Sequence, residues 1–200
     1  MSTPDIRDLN RRAVDYSVEI VSHLTTDHLD RPTPCAAWTV ADLLAHMTVQ
    51  HRGFAAAARG NGADLTVWQV RPLAAYPVGD YTKAAADVTA AYTQPDVLER
   101  IFDLPEFGPG AQLPGSMAIG AHFIDYVIHA WDMARALDLP YRLDDDFVVP
   151  ALEITKMVPT GDDYRNAPGA AFAPELPATE DAAPLDRILT FLGRSPSWPR

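Results

Sequence analysis

The sequence predicts an all-α fold, a four-helix bundle with additional short helices and long proline-rich loops. Several long segments place apolar residues at the period of a helix face, and residues typical of helix caps stand at their ends. Prolines cluster between these segments. With 200 residues and 48% hydrophobic side chains, the chain is long enough for one domain, which we expect to span residues 1–200 with a short C-terminal extension.

The first two helices are predicted from periodicity and capping. Between residues 5 and 24, apolar positions recur at steps of three and four. Thr39 is a suitable N-cap for a second helix, since Asp42 follows three residues later in a relative of the capping box. This helix should end near Arg59, because Gly60 follows it.

The middle of the chain alternates between loops and one alanine-rich helix. Residues 63–79 show no helical period and contain two prolines, so they are predicted as a loop. A third helix is expected over 80–93, with a further turn from Pro95 to about Phe102. The prolines and glycines of residues 103–115 indicate a long connection with room for a short extended piece.

The last part of the chain contains one long and two short predicted helices. Ser116 offers an N-cap for a fourth helix that continues to about Leu137. A fifth helical segment is predicted over 145–157, and a last short helix over 184–193. The proline- and alanine-rich residues 159–183 between them are predicted as a loop.

Composition argues against several classes of protein. Sixteen basic residues against 27 acidic ones give a formal net charge of -11, so a nucleic-acid partner is not expected. The sequence has no apolar run of roughly 18 to 20 residues and no signal-peptide pattern, so we expect a cytoplasmic protein without a membrane span. Its single cysteine, Cys35, cannot form an internal disulfide or a cysteine-built metal site. Histidine and carboxylate side chains would have to hold any metal.

The stretch AHFIDYVIHAWDMAR, residues 121–135, places ionisable groups on a helix that is otherwise apolar. At about 100° per residue, His122, Asp125 and His129 fall within roughly 60° of one another. The opposite side of the helix is apolar too, which indicates a helix surrounded by protein. A buried carboxylate costs several kcal/mol unless it is paired or bound to a cation. Asp125 therefore either bonds to His129 in a purely structural pair or takes part in a metal site.

A second histidine suggests the metal site. His46 lies at the edge of the apolar face of the second helix, where a lone histidine would usually be a core residue. Two facing helices could bring His46 together with Asp125 and His129. Two imidazole nitrogens and one carboxylate oxygen suit Zn, Ni, Fe or Mn and leave one or more positions open for water or substrate. We call His46, Asp125 and His129 the candidate triad.

Other residues near these motifs have alternative interpretations. His122 is either a general acid or base, a support behind the metal ligands or an alternative ligand. His51 is expected at the surface, and Cys35 in simple packing. Asp132 is expected to have a structural role, and Trp38 either forms the wall of a pocket or belongs to the core.

Two segments together resemble a known superfamily. TPCAAWTVADLLAHM, residues 33–47, and DYVIHAWDMARAL, residues 125–137, resemble DinB-like proteins, and more narrowly actinobacterial proteins related to mycothiol-dependent maleylpyruvate isomerase. FLGRSPSW, residues 191–198, resembles the ending of one actinobacterial branch of this group. The resemblance implies a four-helix bundle that holds a divalent metal through the candidate triad. Several relatives have Glu where this chain has Asp125.

The resemblance also implies a function. Such proteins use the metal to bind the thiol of mycothiol or a similar cofactor, and a bound cation lowers the pKa of a thiol toward the reactive thiolate. We therefore expect a metal-dependent thiol S-transferase or isomerase that acts on a small electrophile. Relatives that resemble the isomerase in full also carry a separate C-terminal domain, which we do not expect within these 200 residues.

Two alternatives and the oligomeric state stay open at this point. A non-catalytic metal-binding stress or sensing module would use the same ligands, with a fourth ligand such as His122 closing the site. A bundle without metal would leave Asp125 bonded to His129 alone. An apolar helix face left uncovered could support a homodimer.

Overall fold

Helices account for most of the computed structural model, which describes residues 5–35, 38–167, 170–179 and 181–199. Ala36 and Ala37 of the TPCAAW segment lie outside these ranges. The described residues form seven α-helices and one small antiparallel sheet, which confirms the expectation of a mainly helical protein. The elements are α1 (Ile6–Ser22), α2 (Val40–Ala58), α3 (Pro77–Tyr92), β1 (Ile101–Asp103), β2 (Gln112–Pro114), α4 (Gly115–Ala136), α5 (Val148–Thr155), α6 (Asp162–Arg165) and α7 (Pro184–Phe191).

The beginning of α2 agrees with the capping prediction. The Thr39 hydroxyl accepts a hydrogen bond from the backbone N–H of Asp42, and the Asp42 carboxylate accepts one from the backbone N–H of Thr39. This reciprocal pair satisfies two N–H groups that have no partner inside the helix. The helix ends at Ala58, with Arg59 as C-cap and Gly60 at a positive φ of 84°.

The start of α3 lies earlier than the sequence suggested. Helix α3 begins at Pro77 rather than near residue 80. Proline is compatible with a first helical turn because its missing N–H would have no intrahelical partner there. The predicted loop 63–79 also contains a short 3-10 turn, Leu65–Trp68, so it is less irregular than expected.

The prediction that Ser116 caps the fourth helix is wrong, since α4 begins at Gly115 and its N-cap is Pro114, two residues earlier than predicted. The backbone N–H groups of Gly115 and Ser116 donate to the carbonyl groups of Arg100 and Leu98, at 2.7 and 2.9 Å. A hydroxyl cap is not needed where the preceding turn already supplies acceptors. A Cβ at residue 115 would lie 1.8 Å from the Val97 carbonyl oxygen, so glycine is required at this close approach.

The four long helices pack against one another around the core. Helix α1 contacts α3 and α4, and α2 contacts the same two helices. Buried hydrogen bonds join these helices in pairs. The hydroxyl groups of Ser17 on α1 and Tyr81 on α3 lie 2.6 Å apart, and Tyr126 on α4 donates to the carbonyl of Met47 on α2. The sheet of β1 and β2, with Phe102 opposite Leu113, leads directly into α4.

The C-terminal third is more ordered than predicted. The segment expected over 145–157 divides into a 3-10 turn, Asp145–Phe147, followed by α5. The predicted loop 159–183 contains α6, and α5 packs against α4 and α7. Among the described residues, none of the helices combines the length and apolarity that crossing a bilayer requires.

Candidate metal centre

The three members of the candidate triad come together between α2 and α4. His46 extends from α2, while Asp125 and His129 lie on successive turns of α4. One ligand atom from each side chain lies within 4.8 Å of the other two. His129 Nε2 is 3.3 Å from Asp125 Oδ1, and the rings of His46 and His129 meet edge to face with centroids 5.0 Å apart. One divalent cation could reach all three groups.

The ionisation of His46 and Asp125 suits a cation, whereas His129 has to lose a proton before it can bind one. Burial lowers the pKa of His46 to about 4, so this imidazole is neutral at physiological pH. Burial acts to raise the pKa of Asp125, but the positive charge of His129 and its hydrogen bond outweigh burial and lower that pKa to about 2. The pKa of His129 is raised above its usual value: burial opposes this shift, and the charge of Asp125 drives it. Asp125 Oδ2 is buried and has no hydrogen-bond partner among the described residues, as expected for an oxygen that faces an ion.

Asp132 lies behind His129 and fixes the orientation of its ring. His129 donates its Nδ1–H to Asp132 Oδ2 at 3.0 Å, which directs Nε2 toward Asp125. Metal-binding histidines commonly have such a carboxylate on the second ring nitrogen, where it sets the tautomer and increases the basicity of the ligand. The expected structural role of Asp132 therefore includes direct support of the candidate triad.

Arg194, from the segment after α7, neutralises Asp132. Its guanidinium is almost completely buried, and Nη2 lies 3.3 Å from both Asp132 Oδ2 and Cys35 Sγ. Cys35 Sγ donates to the same carboxylate oxygen at 3.1 Å, so simple packing does not describe this cysteine fully. Cys35, His129 and Asp132 are also close enough to hold an ion, but Arg194 already supplies the positive charge on that side. A metal is therefore better accommodated by the candidate triad.

His122 lies outside the candidate triad, in a separate buried network. Its Nδ1 accepts a hydrogen bond of 2.8 Å from the Asn10 amide, and its Nε2 lies 3.3 Å from Nδ1 of His51. The prediction that His51 lies at the surface is wrong, since its side chain is fully buried and stacks on Tyr126 with ring centroids 4.0 Å apart. Burial lowers the pKa values of both histidines, so the two rings are neutral.

The outer side of the centre is formed by an aromatic ring and two polar side chains. The Trp38 ring lies 4.6 Å from that of His46, centroid to centroid, consistent with a wall of the site. Gln50, one turn after His46, donates its side-chain amide to the carboxylate of Glu106. Glu106 belongs to a 3-10 turn, Pro105–Phe107, between β1 and β2.

Sequence reasoning missed Glu106, Arg194 and Asn10 for a common reason. Each residue reaches the centre or its supporting network from a distant part of the chain, and none belongs to a periodic pattern with its partner. Their roles are visible only once the helices and the hairpin are packed. For Arg194, the only local signal was its position inside FLGRSPSW.

Comparisons with known proteins identify the family and the fold. Residues 10–134 match the family model described as mycothiol maleylpyruvate isomerase N-terminal domain. The chain is 29% identical over 191 residues to an uncharacterized protein found in two strains of Mycobacterium tuberculosis, covering 93% of this chain and 96% of the relative. Two crystal structures of mycothiol-dependent maleylpyruvate isomerase share the fold. A histidine-to-alanine mutant has a TM-score of 0.61 at 15% identity, covering 88% of this chain and 74% of the other. The second structure has a TM-score of 0.55 at 13% identity, covering 78% and 68%.

Proposed function

Because the chain belongs to the mycothiol maleylpyruvate isomerase N-terminal domain family, we propose that it is a divalent-metal-dependent enzyme that uses a mycothiol-type thiol. The metal would be Zn, Ni, Fe or Mn, held by His46, Asp125 and His129. The thiol would be transferred to a small electrophilic substrate or would catalyse its isomerisation. We also propose that α1–α4 form the four-helix bundle of DinB-like proteins, since each of the four contacts two others in the set.

The convergence of the candidate triad is the observation that carries this proposal. Three protein ligands with two imidazoles and one carboxylate are typical of metal centres that keep a position for water or substrate. When bound there, the metal supplies Lewis acidity, which lowers the pKa of a thiol so that it reacts as thiolate. The chain's single cysteine bonds to Asp132 and Arg194, so the reacting thiol is expected to come from a cofactor.

The surrounding residues have distinct roles under this proposal. Asp132, neutralised by Arg194, orients His129 through its Nδ1–H. The indole of Trp38 covers one side of the centre and limits the access of water. Gln50 supplies an amide one turn after His46 and contacts the exposed Glu106; we call the position of these two side chains the entrance to the centre.

A non-catalytic metal-binding stress or sensing module is the alternative. It would be favoured by a fourth protein ligand that closes the centre, and His122 was the candidate for that role. Both ring nitrogens of His122 are instead engaged, one with Asn10 and the other with His51. This engagement supports the enzyme over the closed module.

Metal content tests the proposal. Elemental analysis of protein purified without a histidine tag should find about one equivalent of a divalent transition metal in the wild type. His46→Ala and Asp125→Ala should lose it, whereas His23→Ala, at an exposed histidine beyond α1, should retain it. Wild-type protein that takes up no metal after reconstitution, or equal retention in all variants, would refute the proposed site.

A further inference from the structure

The entrance to the candidate metal centre has an acidic side chain that none of the sequence motifs includes. Glu106 is held by the Gln50 amide, and Gln50 lies one turn beyond His46 on α2. Burial raises the pKa of Glu106, the Gln50 bond opposes this, and the charge of Asp125 raises it further. Because His46 and Gln50 lie one turn apart on the same face of α2, the hydrogen bond from Gln50 places the Glu106 carboxyl group on the side of the helix that carries His46.

Three arginines on α2, on α4 or in contact with Asp132 already have partners. Arg194 is buried against Asp132, and Arg135 donates to the backbone carbonyl of Trp198. Arg52, two residues after Gln50, forms an ion pair of 2.6 Å with Asp80. Each of these three arginines is therefore engaged. Recognition of a carboxylate or phosphate normally requires an available Arg or Lys.

The charge of Glu106 decides whether the centre attracts or repels an approaching anion, because the other charges at the centre cancel. The charge of a divalent cation is cancelled by Asp125 together with one thiolate. The carboxylate of Glu106 then sets the sign of the field that an approaching electrophile meets, and the formal net charge of -11 acts in the same direction. A like charge brought next to Glu106 is penalised, whereas an uncharged polar molecule can hydrogen-bond to Gln50 and Glu106.

We propose that this centre selects uncharged electrophiles over anionic ones, and that Glu106, held by Gln50, is the residue that determines this preference. The inference rests on the proposed thiol-dependent function and specifies its substrate class. A dicarboxylate is thereby excluded as the preferred substrate of this chain. The hydrogen bond to Gln50 fixes the carboxyl group at the entrance, so the discrimination is built into the site.

Two probes with the same carbon skeleton test the preference, dimethyl maleate and the maleate dianion. The consumption of mycothiol is measured with each probe at about pH 8, where carboxyl groups are ionised, and each rate is divided by the rate without protein. Wild-type protein should favour the ester by about tenfold or more in kcat/KM after this correction. Glu106→Gln should reduce the ratio several-fold, and Glu106→Lys should reduce it further or reverse it. Glu19→Gln removes a carboxylate from the exposed surface of α1 and should leave the ratio unchanged.

Calorimetric binding of the two probes separates this inference from the proposed function. If neither probe reacts faster with protein than without it, the proposed function fails with these electrophiles, while the two affinities still reveal the charge preference. Tighter binding of the ester, lost in Glu106→Lys, would support the inference. It would be overturned if maleate binds or reacts as well as the ester, or if the ratio is the same in wild type and both Glu106 variants.

Discussion

His129 donates its Nδ1–H to Asp132 across 3.0 Å, and both of these side chains on α4 are buried in the protein. The ring therefore presents Nε2 to Asp125, which is the orientation that a metal ligand requires. A residue three positions further along the same helix thus prepares a ligand without facing the ion itself. The centre consists of the candidate triad together with the carboxylate that orients one of its members.

Loss of the Asp132 charge should weaken metal binding. Asp132→Asn preserves the size of the side chain but provides a poorer acceptor for His129, so we expect metal affinity to fall by about 10-fold to 100-fold. Competition against a chromophoric chelator measures the change. Asp15→Asn, on the exposed face of α1, is the control. Equal affinities for wild type and Asp132→Asn would show that Asp132 does not support the ligand.

Removal of Arg194 should destabilise the whole protein. Arg194→Met removes one of the two positively charged partners of the buried Asp132, and breaking a buried pair costs roughly 3 to 5 kcal/mol. Urea unfolding of the metal-free proteins gives the difference. The exposed pair of Arg142 and Asp145 provides a control, since Arg142→Met should change the free energy of unfolding by less than about 1 kcal/mol. The double variant Arg194→Met with Asp132→Asn should recover part of the loss; no recovery would contradict the assigned pairing.

The buried histidine pair predicts a loss of stability in acid. Burial lowers the pKa of His122 to about 3 and places that of His51 well below the usual histidine value of about 6.5. Both rings are neutral in the folded protein and bind a proton on unfolding once the pH is below about 6.5. The free energy of unfolding should therefore decrease as the pH falls from about 6.5 toward about 3, by about 1.4 kcal/mol per pH unit for each ring.

A variant that cannot titrate at position 122 isolates this effect. His122→Gln can still accept from Asn10 but takes up no proton, so the dependence of unfolding free energy on pH should be shallower by about 1.4 kcal/mol per pH unit. Urea unfolding at several pH values between about 6 and about 4 measures both slopes. Parallel slopes for the two proteins would mean that His122 is not kept neutral by burial.

The close contact between Gly53 and Trp68 predicts a steric effect on α2. A Cβ at residue 53 would lie 2.2 Å from the Trp68 ring, which is itself fixed by a hydrogen bond of 2.8 Å to the Gly62 carbonyl. Gly53→Ala should therefore destabilise the protein by about 1 to 3 kcal/mol despite the higher helix propensity of alanine. Gly161→Ala, where the new Cβ meets no atom within 4 Å, is the matched control and should be close to neutral in thermal unfolding. Unchanged stability of Gly53→Ala would show that the indole can move.

Periodicity and capping were sufficient to predict the helices that carry the candidate triad. Thr39 and Asp42 locate the start of α2, and the apolar surroundings of Asp125 predict a surrounded helix, as α4 is. The start of α4 could not be predicted from Ser116, because the acceptors for its first N–H groups come from the turn that ends near Arg100. The sequence around Ser116 does not indicate that the carbonyl groups of Leu98 and Arg100 accept these hydrogen bonds.

The interior of the site was harder to predict than its ligands. Angular position on an isolated helix placed His51 at the surface, but α3, α4 and the 3-10 turn Leu65–Trp68 cover α2 on more sides than a two-faced helix would bury. Asp132 pairs with Arg194, which lies 62 residues further along the chain. Pairings of this kind depend on how the C-terminal segment packs, which no periodic pattern records.

Cobalt(II) substitution tests the central claim most directly, because it reports the metal ligands and the thiol together. Protein reconstituted with cobalt(II) should show the absorption of a low-coordinate ion, and addition of mycothiol should produce a thiolate-to-cobalt charge-transfer band. His46→Ala and Asp125→Ala should lose both signals, while His23→Ala should retain them. A cobalt spectrum that mycothiol leaves unchanged, or one that persists without His46 and Asp125, would contradict a thiol-binding metal centre at these residues.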